Sequence, residues 1–398
     1  MKSMLQVCIL AFLLLPVFTL GAIDAGLLLD QSGIYDYTEQ LQFLGTLIPR
    51  FSIPIGEASE LYISAGLTVK YEIEKGHIIP ELLRTELTLR MDEKGELHIG
   101  RMYYTDPLGF IASGLFDGIR YVREMDNNSL IGVGMWYTGF LYKKNANITM
   151  TEAELDNYNA PVDYADFFDT YFAPPRMVIA VDWEHPGIKE SIRLRLAFIS
   201  QFDLTFEKRF YHTQYFVAKA IIPANNIVFE LGGTVELVEN SRRFQISFAG
   251  ELGIAWMLPT QINDRLSFSA LFSSGTVNNT FVAFNPVSTE AYGDVLSTKL
   301  RGISILRLDY TARLHQSFSF GLRSSYFILN DKASFSGPIP GNDGYFLGNE
   351  FYGFMVWSPL SDLQIKIGGG AFLPSLGNAA RGSDVLWKAE LGAVLSLF

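Results

Sequence analysis

The sequence predicts an all-β fold: a closed antiparallel transmembrane β-barrel of about 18 strands, with short periplasmic turns and long extracellular loops. Three observations carry this expectation. Apolar residues are abundant, 48% of the 398-residue chain, yet after residue 21 no run approaches the ~20 residues that a membrane helix needs. They alternate instead with polar residues over segments of roughly ten residues, the period of a tilted membrane strand. Short and long connections also alternate along the chain, the pattern of bacterial barrels.

The first element is a leader. Lys2 supplies a basic start, Met4–Leu20 an apolar run, and Gly21 and Ala22 a small-residue exit. That layout predicts a signal peptide over 1–21, with the barrel occupying 22–398. Cys8 is the only cysteine and falls in the leader, so the mature chain is expected to hold neither disulfides nor thiolate chemistry. The chain carries a net charge of −11, and Lys2 is the leader's only charge. Such acidity, without any basic run, argues against nucleic acid as a partner.

The strands follow. In 82–91, Leu83, Thr85, Leu87, Leu89 and Met91 share one face, while Arg84, Glu86, Thr88 and Arg90 share the other. Asp92-Glu93-Lys94-Gly95 makes a turn, and Leu97 and Ile99 then alternate with Glu96, His98 and Gly100. Met177, Ile179, Val181 and Trp183 oppose Asp182 and Glu184; Ile192, Leu194 and Leu196 oppose Arg193 and Arg195. Near the end, Leu363, Ile365 and Ile367 oppose Gln364, Lys366 and Gly368. Long loops are expected at 32–40, 73–81, 105–116, 143–175, 202–212, 275–300, 329–348 and 373–384, with one short connection, 239–243, on their side. Short turns are expected at 56–60, 92–95, 126–128, 185–190, 223–226, 258–264, 315–316 and 358–362.

A soluble β-protein would also alternate, but its polar-face charges would then need partners inside a packed core. A closed barrel in lipid leaves no sheet edge unpaired and keeps those charges in a wet lumen. Aromatic residues near strand ends fit interfacial girdles: Tyr103-Tyr104, Trp136-Tyr137, Trp183, Tyr211, Trp256, Tyr326, Trp357 and Trp387. The chain ends on Phe398. A terminal aromatic resembles the signal read by the barrel assembly machinery, the partner expected during biogenesis. Phe398 stands one residue out of phase with the apolar face Trp387, Leu391, Leu395 and Leu397.

With the apolar faces against outer-membrane lipid, the other faces line a lumen. The expected lining residues are Arg84, Glu86, Arg90, His98, Arg120, Arg193, Arg195, Arg307, Asp309, Arg313, Arg323 and Lys366, with Lys70, Asp182, Glu184, Glu230, Glu236 and Glu251 beside them. Rings of such charges set ion selectivity, and Arg and Lys favour anions. Taken singly, each charge is better read as one half of a cross-strand ion pair. Segment 143–175 mixes Glu152, Glu154, Asp156, Asp163, Asp166 and Asp169 with Tyr158, Tyr164, Phe167, Phe168, Tyr171 and Phe172. It either folds inward as a constriction or stands as a solvated loop. Its carboxylates lack EF-hand spacing, so no metal and no cofactor are expected.

Catalysis would require a nucleophile with a positioned base. The chain has five histidines; His185 and His315 fall in short turns, His77 and His212 in long loops, and only His98 on the inner face. No Gly-x-Ser-x-Gly or His-Glu-x-x-His motif occurs, and no enzyme is expected.

Two stretches resemble a family. Gly100-Arg101 followed by Phe116-Asp117-Gly118-Ile119-Arg120 resembles a "G-R … F-D-G-x-R" region of porin and alginate-export-like outer-membrane barrels. Gly348-Asn349-Glu350, Trp357, Gly368-Gly369-Gly370 and Phe372-Leu373-Pro374 resemble the closing hairpin of the alginate-export group, with Tyr352 and Ser375 standing where an acidic residue and a glycine are expected. The resemblance implies 18 strands and a charged lumen that passes an anionic polymer. The sequence thus predicts a channel for passive diffusion of small hydrophilic, preferentially anionic, solutes. The alternative is a structural or adhesive barrel that displays surface loops, and an occluded lumen would favour it.

Overall fold

Period-two alternation gives each strand one apolar and one polar face, and a sheet of such strands must curl until its edges meet if it is to sit in lipid. The computed structural model describes residues 23–397, except 73–74, 189–190, 206–209, 241–242, 278–279, 289, 336, 338–343 and 381. The leader expected over 1–21, with Cys8, and the terminal Phe398 lie outside the described residues.

The first half of the wall comprises β1 (Asp24–Asp36), β2 (Leu41–Ile55), β3 (Ser59–Glu72), β4 (Lys75–Arg90), β5 (Gly95–Thr105), β6 (Ser113–Glu124), β7 (Leu130–Tyr137), β8 (Arg176–Ile188) and β9 (Ile192–Asp203). Three short helices, α1 (Lys143–Ala146), α2 (Glu152–Asn159) and α3 (Phe167–Tyr171), separate β7 from β8. The second half comprises β10 (Tyr211–Ala224), β11 (Ile227–Asn240), β12 (Arg243–Met257), β13 (Arg265–Ser273), β16 (Ile303–His315), β17 (Phe318–Leu329), β18 (Phe346–Leu360), β19 (Leu363–Leu373) and β20 (Leu386–Leu397). The two-residue strands β14 (Ala291–Tyr292) and β15 (Thr298–Lys299) form a hairpin apart from the wall. Each wall strand pairs antiparallel with its chain neighbours in one 18-stranded sheet. β1 closes it against β20, from Leu27 opposite Leu397 to Asp36 opposite Lys388.

The outer face carries the expected apolar belt: Val133, Val181, Leu196, Phe216, Leu231, Leu252, Leu308, Leu322, Met355, Ile367 and Leu391 are all exposed. Buried apolar residues gather instead inside the barrel. Leu108, Phe110, Ile111, Ile148, Met150, Phe284, Val287, Leu296 and Leu300 of the connections pack with the inward Val178, Ile199, Tyr215, Val217, Ile305, Phe327 and Phe372 of the wall. The core of this protein is therefore a plug made by connections from the long-loop end.

Several expectations are corrected. The loop expected at 73–81 is mostly strand: residues from Lys75 onward continue β4, because one edge is satisfied by β3 up to Lys75 opposite Glu72. His77 accordingly stands in β4 opposite Lys70. β1 likewise runs to Asp36, beyond the expected loop start at 32. Trp136 and Tyr104 are not interfacial. They are 1% and 2% exposed and lie ring against ring in the plug, centroids 4.4 Å apart. Glycines at 118 and 134 make room, since a Cβ at either would collide with Trp136. Tyr103, Trp256 and Trp357 do point outward.

The end of the barrel bearing the long connections is expected to face the cell exterior. A cysteine at the exposed Asp156 of α2 should label on intact cells, and one at Asn226, in the tight turn after β10, should not. The opposite labelling would reverse the orientation.

Candidate functional site: the lumen and its plug

Inward residues at matching heights on neighbouring strands meet as cross-strand pairs, and most of the expected lining charges are partnered this way. Arg84, two residues away on β4, and His98, across on β5, both reach Glu86, at 2.6 and 2.7 Å. Arg120 bonds Asp182 at 2.7 Å. Arg195 and Arg193 share Glu184, at 2.8 and 3.7 Å. Arg323 binds Asp309 at 2.5 Å, and Lys366 binds Glu390 at 2.6 Å. Arg307 donates to the Ser325 hydroxyl at 3.2 Å and Arg313 to the Gln316 carbonyl at 2.8 Å. Arg90 is exposed at the short-turn end of β4.

Sequence reasoning missed lining residues of both signs. Lys219 bridges Glu230 and Glu251, at 3.2 and 2.8 Å. Lys388 joins Lys366 on Glu390. Arg176, Asp203 and Glu350 also belong here. Lys219 was within reach, because Phe216, Ala218 and Ile222 alternate with Tyr215, Val217 and Lys219. Glu390 likewise sits between the outward Ala389 and Leu391. With these included, three basic and three acidic, the lining holds interleaved pairs of both signs, and the small basic excess of the expected set is unchanged.

The connections are fastened to the wall by carboxylates. Glu350 of β18 accepts the backbone N–H groups of Asp294, Val295 and Leu296 at 2.7–2.8 Å. Asp294 then takes the second arm of Arg323, at 2.7 Å. Glu236 of β11 accepts the Asn285 N–H at 3.1 Å. Between β5 and β6, Asp106 accepts four backbone N–H groups, from Leu108, Gly109, Ile111 and Ala112. Burial still pushes its carboxyl above the usual range.

Segment 143–175 divides between its two expected fates. Ile148, Met150 and Glu154 are buried in the lumen, while Asp163, Asp166 and Asp169 stay exposed. Glu154 acts twice. It completes the capping box of α2, taking the Thr151 N–H at 2.9 Å, and its other oxygen binds the fully buried Arg176 at 2.6 Å. Arg176 also approaches Asp203 at 3.9 Å. Lys299 of β15 reaches the Thr149 hydroxyl, tying this segment to the 274–302 connection. Burial and the neighbouring Arg301 lower the Lys299 pKa to about 8.

The quoted motifs have structural explanations. Arg101 and Asp117 are ladder partners on β5 and β6, joined by two 2.8 Å bonds on the outward face. Glycines at 368 and 370 leave space for Tyr352, whose hydroxyl donates to Glu390. Tyr352, in place of the expected acid, thus works as a donor to an acid on β20.

The plug is one-sided. Among the described residues, none of those packed into the lumen core comes from β1, β2 or β3. The inner faces there are partly accessible and mix polar side chains, Asp30, Thr46 bonded to Thr68 at 3.1 Å and Arg50 bonded to Ser396 at 3.1 Å, with Leu28, Ile34, Leu44 and Ile48.

No protein-family description and no curated protein matches this sequence. Solved structures do. OccK5 (OpdH) of Pseudomonas aeruginosa superposes with a TM-score of 0.64 at 10% identity, over 94% of this chain and 98% of that one. OpdK of the same organism, solved with vanillate, gives 0.62 at 11%, over 94% and 98%. The P. aeruginosa outer membrane protein OprD gives 0.61 at 13%, over 94% and 93%. At these identities the likeness is one of fold: a closed 18-stranded antiparallel β-barrel of the porin type, matched over nearly its whole length. The alginate-export resemblance finds no counterpart among these matches.

Proposed function

We propose that this chain is a bacterial outer-membrane channel for passive diffusion of small hydrophilic solutes, favouring anionic or polyhydroxylated ones. The observation that carries the reading is the one-sided plug. Connections fill the lumen against β5–β10, β12 and β16–β19 and reach β20 only at its first residue, Leu386, while the inner faces of β1, β2 and β3 stay outside that packing. A path bounded by paired charges suits a hydrated solute, which exchanges water for fixed dipoles as it passes. The vanillate bound to OpdK is a small aromatic carboxylate, and a preference of that sign here would come from the field that Arg193 and Arg195 of β9 and Arg307 and Arg313 of β16 cast across the lumen.

Replacing those four arginines with serine tests the preference. Reversal potentials in a salt gradient should move towards cations, because Glu184 then loses both of its guanidinium partners. A folded quadruple mutant with unchanged selectivity would remove these residues from the conducting path. The second reading, an anchor that displays loops, is favoured by the apolar packing of the plug itself. It predicts no swelling of barrel-containing liposomes in small sugars, whereas the channel reading predicts rapid swelling that slows as the sugar grows.

A further inference from the structure

One seam of the wall is closed by strand pairing over only part of its length. β4 and β5 share only six ladder pairs, from Thr85 opposite Arg101 to Arg90 opposite Glu96, although β4 continues back to Lys75. Strands β10 and β11, by contrast, pair along their full length. Backbone groups of an antiparallel strand address a given edge at every second residue, so the unpaired stretch of β4 presents the carbonyls of residues 78, 80 and 82 on one edge. All three are met by side chains. Tyr164 donates to the Ile78 carbonyl at 2.8 Å, Tyr171 to the Pro80 carbonyl at 2.7 Å, and Arg101 to the Leu82 carbonyl. The open edge is written into the chain, because Pro80 has no N–H to give a neighbouring strand.

The filler is segment 138–172. Its aromatic rings interlock: Tyr171 stacks on Tyr142 and Phe167, with centroids 4.8 and 4.5 Å apart, and Ile79 packs among them. Arg101 holds the near end, binding the Phe140 carbonyl at 2.9 Å while paired to Asp117. Asn145 reaches the inner face at Glu81. Outside, Tyr103, Phe140, Tyr164 and Phe168 are 55–69% exposed. The segment therefore runs from the outer apolar surface through the wall into the apolar plug.

We propose that segment 138–172 is a movable wall panel whose displacement opens the barrel sideways between β4 and β5, passing an apolar or amphipathic solute between the plug and the surrounding lipid. Against β4 the panel is held by side-chain bonds of Tyr164, Tyr171 and Asn145, where a strand pair would be held by a ladder, so it can part from β4 without breaking the sheet. Inside the lumen its Glu154, Met150 and Thr149 stay tied to Arg176, Asn285 and Lys299 and act as the hinge. The route is lined by the rings of Tyr142, Phe167, Tyr171 and Phe172, with its charged groups, Glu81 and Arg101, already partnered, which suits a solute that a charged lumen path rejects.

The test uses the full chain carrying Cys8→Ser, Glu81→Cys and Asn145→Cys, positions in side-chain contact, closed with a short bismaleimide. The probe is phenyl-naphthylamine, which fluoresces in lipid and is excluded by the lipopolysaccharide leaflet of intact cells. Dye entry should exceed that of cells lacking the barrel and should fall about tenfold on cross-linking, as for a gate held shut. Ion conductance of the cross-linked protein should persist, which separates this inference from the diffusion channel. Tyr164→Phe with Tyr171→Phe, which keeps the rings and removes the donors, should speed dye entry. Entry no faster than in barrel-free cells, or equal entry with and without the cross-link, would overturn the proposal.

Discussion

Arg176→Ala is expected to release the plug and to lower stability more than any other single change in the lumen. The guanidinium is fully buried and is bonded to Glu154 by two nitrogens, with Asp203 beside it and the Tyr211 carbonyl accepting a further bond. Removing it leaves two buried carboxylates without a cation, a change that costs about 3–5 kcal/mol when one partner of a buried pair is lost. The loss is also mechanical. Glu154 caps α2, so its displacement frays the helix and frees Met150, whose carbonyl holds Asn285 of the next connection at 2.9 Å. Heat-modifiable gel mobility should show a lowered transition, and bilayer recordings should show larger, noisier openings. The control is Glu154→Gln with Arg176→Met, which removes the pair together and should restore much of the stability. A single mutant as stable and quiet as the parent would show that the pair does not fasten the plug.

The second large effect concerns the outer face. Leu231 and Leu308 lie mid-strand, point outward and are 60% and 49% exposed. An arginine at either should impair assembly by roughly 2–4 kcal/mol, the cost of a basic residue at mid-bilayer depth on a barrel. Leu194→Arg and Ile365→Arg share that face and should act in the same direction. Arg193→Ser and Lys366→Ser alter the inner face and should assemble nearly as the parent does. The reason is again period two: Arg193 and Leu194 are chain neighbours, yet one meets water and the other lipid. Equal damage from the two sets would mean that the faces are reversed.

How far the sequence exposed this architecture depends on range. Alternation is local, so the faces of β8, β9 and β19 were legible from Val181, Leu196 and Ile367 alone, and the strand total followed from turns of known chemistry. What alternation cannot show is where a face changes. Leu82 and Leu83 span the irregularity by which β4 meets β3, and the inward set passes there from Glu81 to Arg84. The plug was opaque for another reason. Phe110, Ile148, Phe284 and Leu300 lie in connections without periodicity, and their burial depends on contacts between segments more than a hundred residues apart. Trp136 and Tyr104 misled because an aromatic near a strand end has the same local context whether it turns to lipid or to a plug. Glu350 could be quoted as part of a motif, but its work, gathering three N–H groups from a distant connection, is visible only in three dimensions.

The central claim, that the plug leaves a hydrated path along β20, β1, β2 and β3, is tested most directly by single-channel recording from the refolded barrel in a planar bilayer. The account predicts discrete, ohmic conductance steps. It further predicts that a bulky thiol reagent on a cysteine at Thr46, on the inner face of β2, reduces each step, while the same reagent at the outward Leu47 leaves it unchanged. A silent bilayer containing folded, inserted barrel would contradict the account, as would steps indifferent to modification at Thr46.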